Sequence, residues 1–238
     1  MSKPLTILSI DFDYFVDENR LFDWGHREQV FFLETIWHIR AHSLAAQGKT
    51  LEQAVPFRGN PIQFLFNSLS REVWNYSLAV AESHAAIVPW LNENFPGETF
   101  RIINVDAHHD LFYSAAHHYK EFFDCGSWGR HMIENGRIAS WLQIYPYWRR
   151  KYPEETGRIF AWARKHIKLA VAEKLRNCRP DAIFLCRSGC WVPPCYDAKF
   201  TELVKVLNGQ PLQERKLIEI DPEAVNLEQR FLLTMGKR

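Results

Sequence analysis

Two short acidic segments of the chain carry residue types that bind metal ions. Asp106, His108 and Asp110 are spaced two residues apart, directly after the apolar run 100–104. In an extended chain alternate side chains point to the same face, so these three would project together from a strand end. Two carboxylates around an imidazole make a good ligand set for a divalent ion. The segment therefore predicts a metal site at the end of a strand.

The second segment has the same form and lies near the N-terminus. Residues 5–10 are apolar enough for a buried parallel strand, which ends in Asp11 and Asp13. Taken alone, an Asp-x-Asp pair also occurs in many loops that follow strands. Four carboxylates gathered at strand ends would repel one another unless cations neutralised them. Two divalent ions fit that charge better than one.

These residues resemble the motifs of a known superfamily. The run 106–110, Asp-Ala-His-His-Asp, is similar to the Asp-Ala-His-x-Asp signature of the arginase and agmatinase (ureohydrolase) superfamily, whose fold also underlies the histone deacetylases. Residues 10–13 resemble its second metal strand, and His84 stands upstream as its first histidine ligand does. The combination looks closest to small arginase-like proteins. These include peptide arginases of ribosomal peptide biosynthesis, which convert arginine side chains of a precursor peptide to ornithine.

The resemblance implies a ligand set and a reaction. Asp106 and Asp11 would bridge two divalent ions. The other ligands would be divided between the ions, with His84 and Asp110 on one and His108 and Asp13 on the other. Oxygen-rich coordination with one histidine per ion suits manganese better than iron or zinc. The carbon of a guanidinium is shielded from attack by delocalised positive charge, so its hydrolysis needs a stronger nucleophile than water. Two such ions would supply one by lowering the pKa of bound water.

The chain departs from ordinary arginases in two respects. Its Asp-x-Asp segment precedes the histidine and the Asp-x-His-x-Asp segment, whereas in arginases it follows them, so the strand order is open. The loop after the signature normally binds the carboxylate and amine of a free amino acid, but here it begins Leu111, Phe112, Tyr113. Such a wall favours a substrate whose backbone is already in amide bonds. We therefore expect an arginine-containing peptide as the partner, with Tyr113 among the substrate-binding residues.

A guanidinium is best held by a carboxylate that accepts two parallel hydrogen bonds. Glu219, within residues 217–222, resembles the family's guanidinium-binding glutamate and is the candidate for substrate binding and catalysis. Glu82, Asp23 and Asp124 are its rivals. An exposed acid at a strand end is the plain structural explanation for Glu219.

The leaving amine must be protonated, and a histidine that titrates near neutral pH commonly does this. Three histidines follow the metal segment closely: His117, His118 and His131. The sequence does not distinguish among them, and we take His131 as the candidate catalytic residue. Asp124 and Trp128 flank a glycine turn that predicts a substrate wall. Asp124 could equally cap the helix that follows.

Composition sets the outer limits. The chain has 238 residues, a net charge of +1 and no apolar run of membrane-spanning length, so neither nucleic acid nor membrane is an expected partner. Its first residues lack the pattern of a secretory signal, and the five cysteines suit free thiols in a reducing compartment. We expect a cytoplasmic protein; oligomerisation stays open.

Apolar strands alternate with helical segments along the chain. The pattern predicts one α/β domain over residues 1–238, a three-layer α/β/α arrangement with a mostly parallel sheet, similar to the arginase and deacetylase fold. It predicts strands over 100–105 and 181–187, a short helix that Asn60 caps with Pro61 in its first turn, the longest helix over 154–177 and a last strand over 216–220. The aromatic and basic stretch 141–152 would be loop packing or a peptide groove, with base stacking a weaker alternative because the net charge is near zero.

Other functions fit parts of the pattern. A small-molecule ureohydrolase would use the same ligands on free arginine or agmatine. A deacylase on the same fold would attack an amide, although deacetylases typically need one zinc and fewer aspartates. An apolar strand that ends in Asp11 and Asp13 also resembles a haloacid-dehalogenase phosphatase, but that hypothesis leaves His84 and the 106–110 segment unexplained. A non-catalytic peptide-binding protein would be expected to have lost ligands.

Overall fold

The computed structural model describes residues 3–17, 33–70, 76–111, 123–150 and 158–209. Its strands are β1 (Leu5–Asp11), β2 (Ser77–Ala81), β3 (Phe100–Val105), β4 (Ile138–Ile144), β5 (Ile167–Ala170) and β6 (Ala182–Cys186). Its α-helices are α1 (Leu33–Ala45), α2 (Leu51–Ala54), α3 (Pro61–Ser68), α4 (Ile87–Asn94), α5 (Trp128–Glu134), α6 (Arg158–His166) and α7 (Asp197–Val206). Short 3-10 turns connect several of them.

The strands form one sheet in the order β2-β6-β1-β3-β4-β5, and every pair is parallel. β1 therefore lies in the interior of the sheet, between β6 and β3. Its register places Ile10 beside Val105 and Asp11 beside Cys186. Because parallel strands end at the same edge, the residues that follow β1, β2, β3 and β6 gather there. The predicted α/β class with a parallel sheet is confirmed.

Both faces of the sheet are covered. All five residues of β6 are buried, and they alternate between two apolar clusters, Ile183 and Leu185 in one and Phe184 in the other. The first cluster contains Trp37 of α1, and the second contains Trp90 of α4. Strands buried on both sides read as continuous apolar runs, which is why the sequence pattern identified them. Helices pack on both faces, as a three-layer arrangement requires.

Several elements agree closely with the sequence prediction. β3 has the predicted start and end, and β6 lies within the predicted 181–187. Asn60 caps α3 by accepting a hydrogen bond from the Gln63 backbone at 3.0 Å, and Pro61 occupies the first turn. The predicted last strand at 216–220 lies outside the described residues. Within the described part of the chain, no helix has the length and apolar composition needed to cross a lipid bilayer.

Two predictions between residues 138 and 177 are wrong. The expected long helix over 154–177 is instead α6 followed at once by β5, and then a 3-10 turn at Ala172–Leu175. The stretch expected as a loop or groove begins inside β4, where Trp141 is buried. β5 is an edge strand with one exposed side, and Leu169 there is 57% exposed. At four residues, Ile-Lys-Leu-Ala, it is too short to form the long apolar run that marks an interior strand.

Candidate metal centre

The predicted ligands meet at the carboxyl edge of the sheet. Asp11 is the last residue of β1, and Asp13 lies in the 3-10 turn Phe12–Phe15 that follows it. Asp106 comes directly after β3, and His84 opens a 3-10 turn shortly after β2. Asp106, Asp13 and His84 are each at most 1% exposed. Residues far apart in the chain thus form one buried polar cluster.

The geometry that brings them together differs from the expected strand alternation. Asp13 and His108 lie in turns, because the carboxylates of Asp11 and Asp106 each accept a hydrogen bond from the backbone N–H two residues later, at 3.0 and 2.7 Å. Such Asx turns reverse the chain locally. Asp110 adopts a left-handed backbone conformation with φ 52°. The shared direction of these side chains comes from tight turns at the strand ends.

The first group of ligand atoms surrounds His84. Its Nδ1 lies 2.8 Å from Asp110 Oδ2, 3.2 Å from Asp11 Oδ2 and 3.2 Å from Asp106 Oδ2. His84, Asp11 and Asp106 are close enough together to hold one metal ion. Asp110 lies beside them, so all four ligands that the resemblance assigns to one ion converge.

The second group surrounds His108. Its Nδ1 lies 2.8 Å from Asp13 Oδ2 and 3.8 Å from Asp106 Oδ1. His108, Asp13 and Asp106 could hold a second ion. Asp106 therefore presents one carboxylate oxygen to each group, which is the arrangement of a bridging ligand. Asp11 belongs to the first group only, where its Oδ2 lies 3.2 Å from His84 Nδ1, and its bridging role stays a prediction.

The surroundings of the two ring nitrogens of His84 fit metal binding. Its Nε2 lies 2.6 Å from Ser9 Oγ, and its fully buried Nδ1 has no hydrogen-bond partner among the described residues despite the three nearby carboxylates. When Nε2 carries the proton and donates to Ser9 Oγ, Nδ1 presents a lone pair, as in metal-ligating histidines. A lone pair that faces three buried carboxylates is costly unless a proton or a metal cation lies between them. The donor set therefore fits divalent ions.

The electrostatics point the same way. Burial, then the charges of Asp110 and Asp11, raise the pKa of Asp106 to about 7. Burial is also the main reason that the pKa values of Asp11, Asp13 and Asp110 are raised. Burial lowers the pKa of His84, but the surrounding carboxylates outweigh this and raise it well above its ordinary value. The cluster concentrates negative charge that a cation would stabilise.

We expect the stability of the metal-free protein to fall between about pH 4 and pH 7 relative to the Asp106→Ala variant. The folded-state pKa of Asp106, about 7, lies above the unfolded value of about 4, so this group favours folding at low pH. That contribution is lost as the pH rises through the folded pKa. Manganese binding needs deprotonated carboxylates, so stabilisation by manganese should increase over the same interval. Thermal unfolding of both proteins with and without Mn²⁺ measures this; parallel metal-free curves would contradict it.

Polar residues behind the ligands hold them in place. Ser9 contacts His84, and the Ser188 hydroxyl donates a hydrogen bond to Asp11 Oδ2. Asn104 donates to Asp106 Oδ2 at 3.2 Å and to Gln143 Oε1 at 3.2 Å. Sequence reasoning missed these four supporting residues. Two of them carried a signal, since Ser9 and Asn104 are polar residues in apolar strands, each two positions before a ligand.

Trp128 supports the same centre. It is fully buried; its Nε1 donates to Asp110 Oδ2 at 2.7 Å, and its ring lies 4.9 Å from the His84 ring. The helix that carries it approaches Asp110 closely, because the Gly129 N–H donates to the Asp110 carbonyl at 3.0 Å. The predicted substrate-binding role of Trp128 stays a prediction. Its described contacts give it a different one, which is to position Asp110.

Substituting Trp128 by phenylalanine should weaken manganese binding about 10- to 100-fold, the usual effect of removing a hydrogen bond to a metal ligand. Phenylalanine keeps most of the apolar contact but cannot donate to Asp110. Trp90→Phe is the matched control, because Trp90 is buried in the same apolar cluster, where its ring lies 5.7 Å from that of Phe184 at a tilt of 43°. Titration with Mn²⁺ gives both affinities. Equal affinities in the two variants would show that the indole N–H is dispensable.

The other predicted site residues have separate places. Asp124 Oδ1 accepts a hydrogen bond from Ser127 Oγ at 2.5 Å, and the Asp124 carbonyl accepts the Trp128 N–H, as at a helix start. His131 is half-buried on α5, with its ring 4.5 Å from Phe123. Leu111, expected in the pocket wall, is fully buried in the core, and that part of the prediction is wrong. Phe112, Tyr113, His117, His118, Asp23 and Glu219 lie outside the described residues.

Comparison with known proteins gives no relative for this chain: no family model, no curated protein sequence and no solved structure matches it. The geometry of the centre and the resemblance of its motifs are therefore the grounds on which function is argued.

Proposed function

We propose that this protein is a binuclear metal-dependent hydrolase that acts on the guanidino group of arginine residues in a peptide and gives ornithine and urea. One observation carries the proposal. The two oxygens of Asp106 face two separate groups, each with a histidine nitrogen and further carboxylates. A site for a single ion would not need this division. The similarity of residues 106–110 to the ureohydrolase signature supports the choice of reaction.

The six ligands would be shared between two ions as the resemblance implies. Asp110 and His84 would serve one, Asp13 and His108 the other, with Asp106 and Asp11 shared between them. Carboxylate-rich coordination with one imidazole per ion favours Mn²⁺. Divalent ions, when bound, lower the pKa of water and supply a nucleophile near neutral pH. The contribution of the chain is a buried, preorganised set of side chains whose partners fix their direction.

Recognition of the substrate is assigned to a carboxylate. Glu82, a rival in the sequence, contacts Arg187 Nη1 at 3.2 Å in a buried ion pair, so its carboxylate already has a guanidinium partner within the chain. This contact favours Glu219 for the substrate guanidinium. His131 is the candidate that protonates the leaving amine, since release of ornithine requires a proton on that nitrogen. Tyr113 and Asp124 would line the peptide.

Mass spectrometry on a mixed peptide library, with the protein loaded with Mn²⁺, tests the proposal. Arginine-containing peptides should become lighter by the mass of cyanamide, because water is added and urea leaves, and urea should appear in equal amount. Chelation should stop the reaction, and Glu219→Gln should stop it while leaving the manganese bound. Release of acetate from acetyl-lysine peptides without urea from arginine peptides would identify a deacylase. Release of phosphate from phosphorylated substrates would identify a phosphatase.

A further inference from the structure

Trp191 lies beside the most exposed ligand of the metal centre. Its ring centroid is 5.4 Å from that of His108, with the planes tilted by 45°. The His108 side chain is 19% exposed, whereas the other five predicted ligands are between 1 and 6% exposed. A substrate that reaches the centre therefore passes the His108 side. Trp191 is partly exposed there, although its neighbours Cys190 and Val192 are buried.

The backbone around Trp191 is fixed by hydrogen bonds from two elements. The N–H of Trp191 donates to the Ser188 carbonyl at 2.8 Å and closes a turn. From α1, Trp37 Nε1 donates to the Gly189 carbonyl and Arg40 Nη1 donates to the Cys190 carbonyl, each at 2.7 Å. These donors are buried. The turn that presents Trp191 is therefore preorganised.

A buried ion-pair network anchors the start of the same turn. Arg187, 3% exposed, contacts Glu82 at 3.2 Å and donates to Asp197 Oδ1 through Nε at 2.8 Å. Gly189 packs directly on this network, since a Cβ at that position would lie 1.7 Å from Glu82 Oε1. Ser188, next in the chain, holds Asp11. One segment, 187–191, thus fixes a metal ligand and the position of an aromatic ring.

We propose that Trp191 is the aromatic wall that receives the substrate's guanidinium group as it approaches the metal centre. This inference rests on the proposed function, which makes the substrate a cation. Tryptophan has the strongest cation–π attraction of the aromatic side chains, and guanidinium groups stack on its face. The backbone that carries the ring is held in place beside the only ligand of the six with substantial exposure, so little backbone entropy is lost on binding. Trp191 would then decide specificity for a planar cation.

Kinetics of Trp191→Phe and Trp191→Leu on an arginine peptide, with Mn²⁺-loaded protein, test this. The leucine variant should raise KM roughly 3- to 30-fold, the range of a partly desolvated cation–π contact, and phenylalanine should have a smaller effect. The value of kcat should change less than KM. The matching citrulline peptide has an uncharged side chain, so its affinity should be the same in both variants as in the unsubstituted protein. Calorimetric titration supplies Kd in place of KM for any peptide that binds without reacting.

Trp162→Leu is the matched control, because Trp162 lies on α6 and contacts Arg130 and His166. It should leave KM and manganese content unchanged. Loss of manganese from both Trp191 variants would overturn the proposal, since Trp191 would then only support His108. Urea release with an unchanged KM would overturn it while the proposed function stands.

The opposite outcome, in which the role of Trp191 holds and the proposed reaction fails, can also be measured. An arginine peptide that binds in a Trp191-dependent way without urea release would uphold the guanidinium wall and contradict the proposed reaction. If the metal-loaded protein neither binds nor cleaves arginine peptides, both fail.

Discussion

Asp106→Ala should lose both manganese ions and with them all urea release. The two oxygens of Asp106 face His84 and His108 separately, at 3.2 and 3.8 Å, so a single substitution removes a ligand from each group. Loss of any one outer ligand, such as Asp13, should weaken mainly one ion. Elemental analysis of the purified variants gives the metal content per chain. Retention of both ions by the Asp106 variant would contradict the bridging assignment.

Asp17→Ala is the matched control for this substitution. Asp17 lies in the same part of the chain as Asp11 and Asp13, but its carboxylate contacts Arg58, whose side chain is 60% exposed. The control should keep both ions. The metal-free Asp106 variant should also remain folded, because removal of a buried charge offsets the packing that is lost. Circular dichroism and thermal unfolding of both variants separate loss of metal from loss of structure.

Peptidyl arginine should be processed far better than free arginine or agmatine. Free arginine carries a carboxylate and an ammonium, and leaving these unpaired near an apolar wall would cost several kcal/mol. A peptide presents neutral amides instead, and its remaining contacts can help to position the guanidinium. A preference of at least about 100-fold in kcat/KM corresponds to ~3 kcal/mol. Phe112 and Tyr113 are the residues on which this expectation depends, since Leu111 is buried in the core.

A kinetic comparison of the three substrates decides the matter. The peptide should carry one arginine with blocked termini, so that charge at the α-carbon is the main difference from free arginine. If kcat/KM for free arginine equals or exceeds that for the peptide, a small-molecule ureohydrolase replaces the peptide arginase. The identity of the metal is tested in parallel by reloading the chelated protein with Mn²⁺, Fe²⁺ or Zn²⁺; we expect Mn²⁺ to restore the most activity.

The sequence was sufficient to predict the interior of the sheet and the convergence of the ligands. β6 is fully buried and β1 and β3 are mostly buried, so their sequences are predominantly apolar runs that identify them as strands. Because β1 ends in Asp11 and β3 ends just before Asp106, the meeting of these ligands at one edge follows from parallel topology alone. Which oxygen faces which histidine depends on the turns after each strand, and the sequence pattern does not specify those turns.

The failures have a common physical cause. β5 has only four residues, two of them exposed, and follows α6 without a break, so its pattern looks like the end of that helix. Leu111 was expected in the pocket wall because it follows the metal segment, yet it is fully buried in the core. Burial is decided by the packing of α5 on β4, which brings Gly129 against Trp141 and Leu111. Contacts between elements distant in sequence are invisible to a local pattern.

The interior position of β1 has a consequence for when the centre can form. The first strand of the chain pairs with β3 and with β6, which ends only at Cys186. During synthesis Asp11 therefore emerges long before the strand that flanks it and the Ser188 hydroxyl that holds it. Pairings of such sequence separation form slowly, because loop closure must come first. Any metal that the cluster holds would then bind late, and its binding would report that the chain from β1 through β6 has closed into its final sheet.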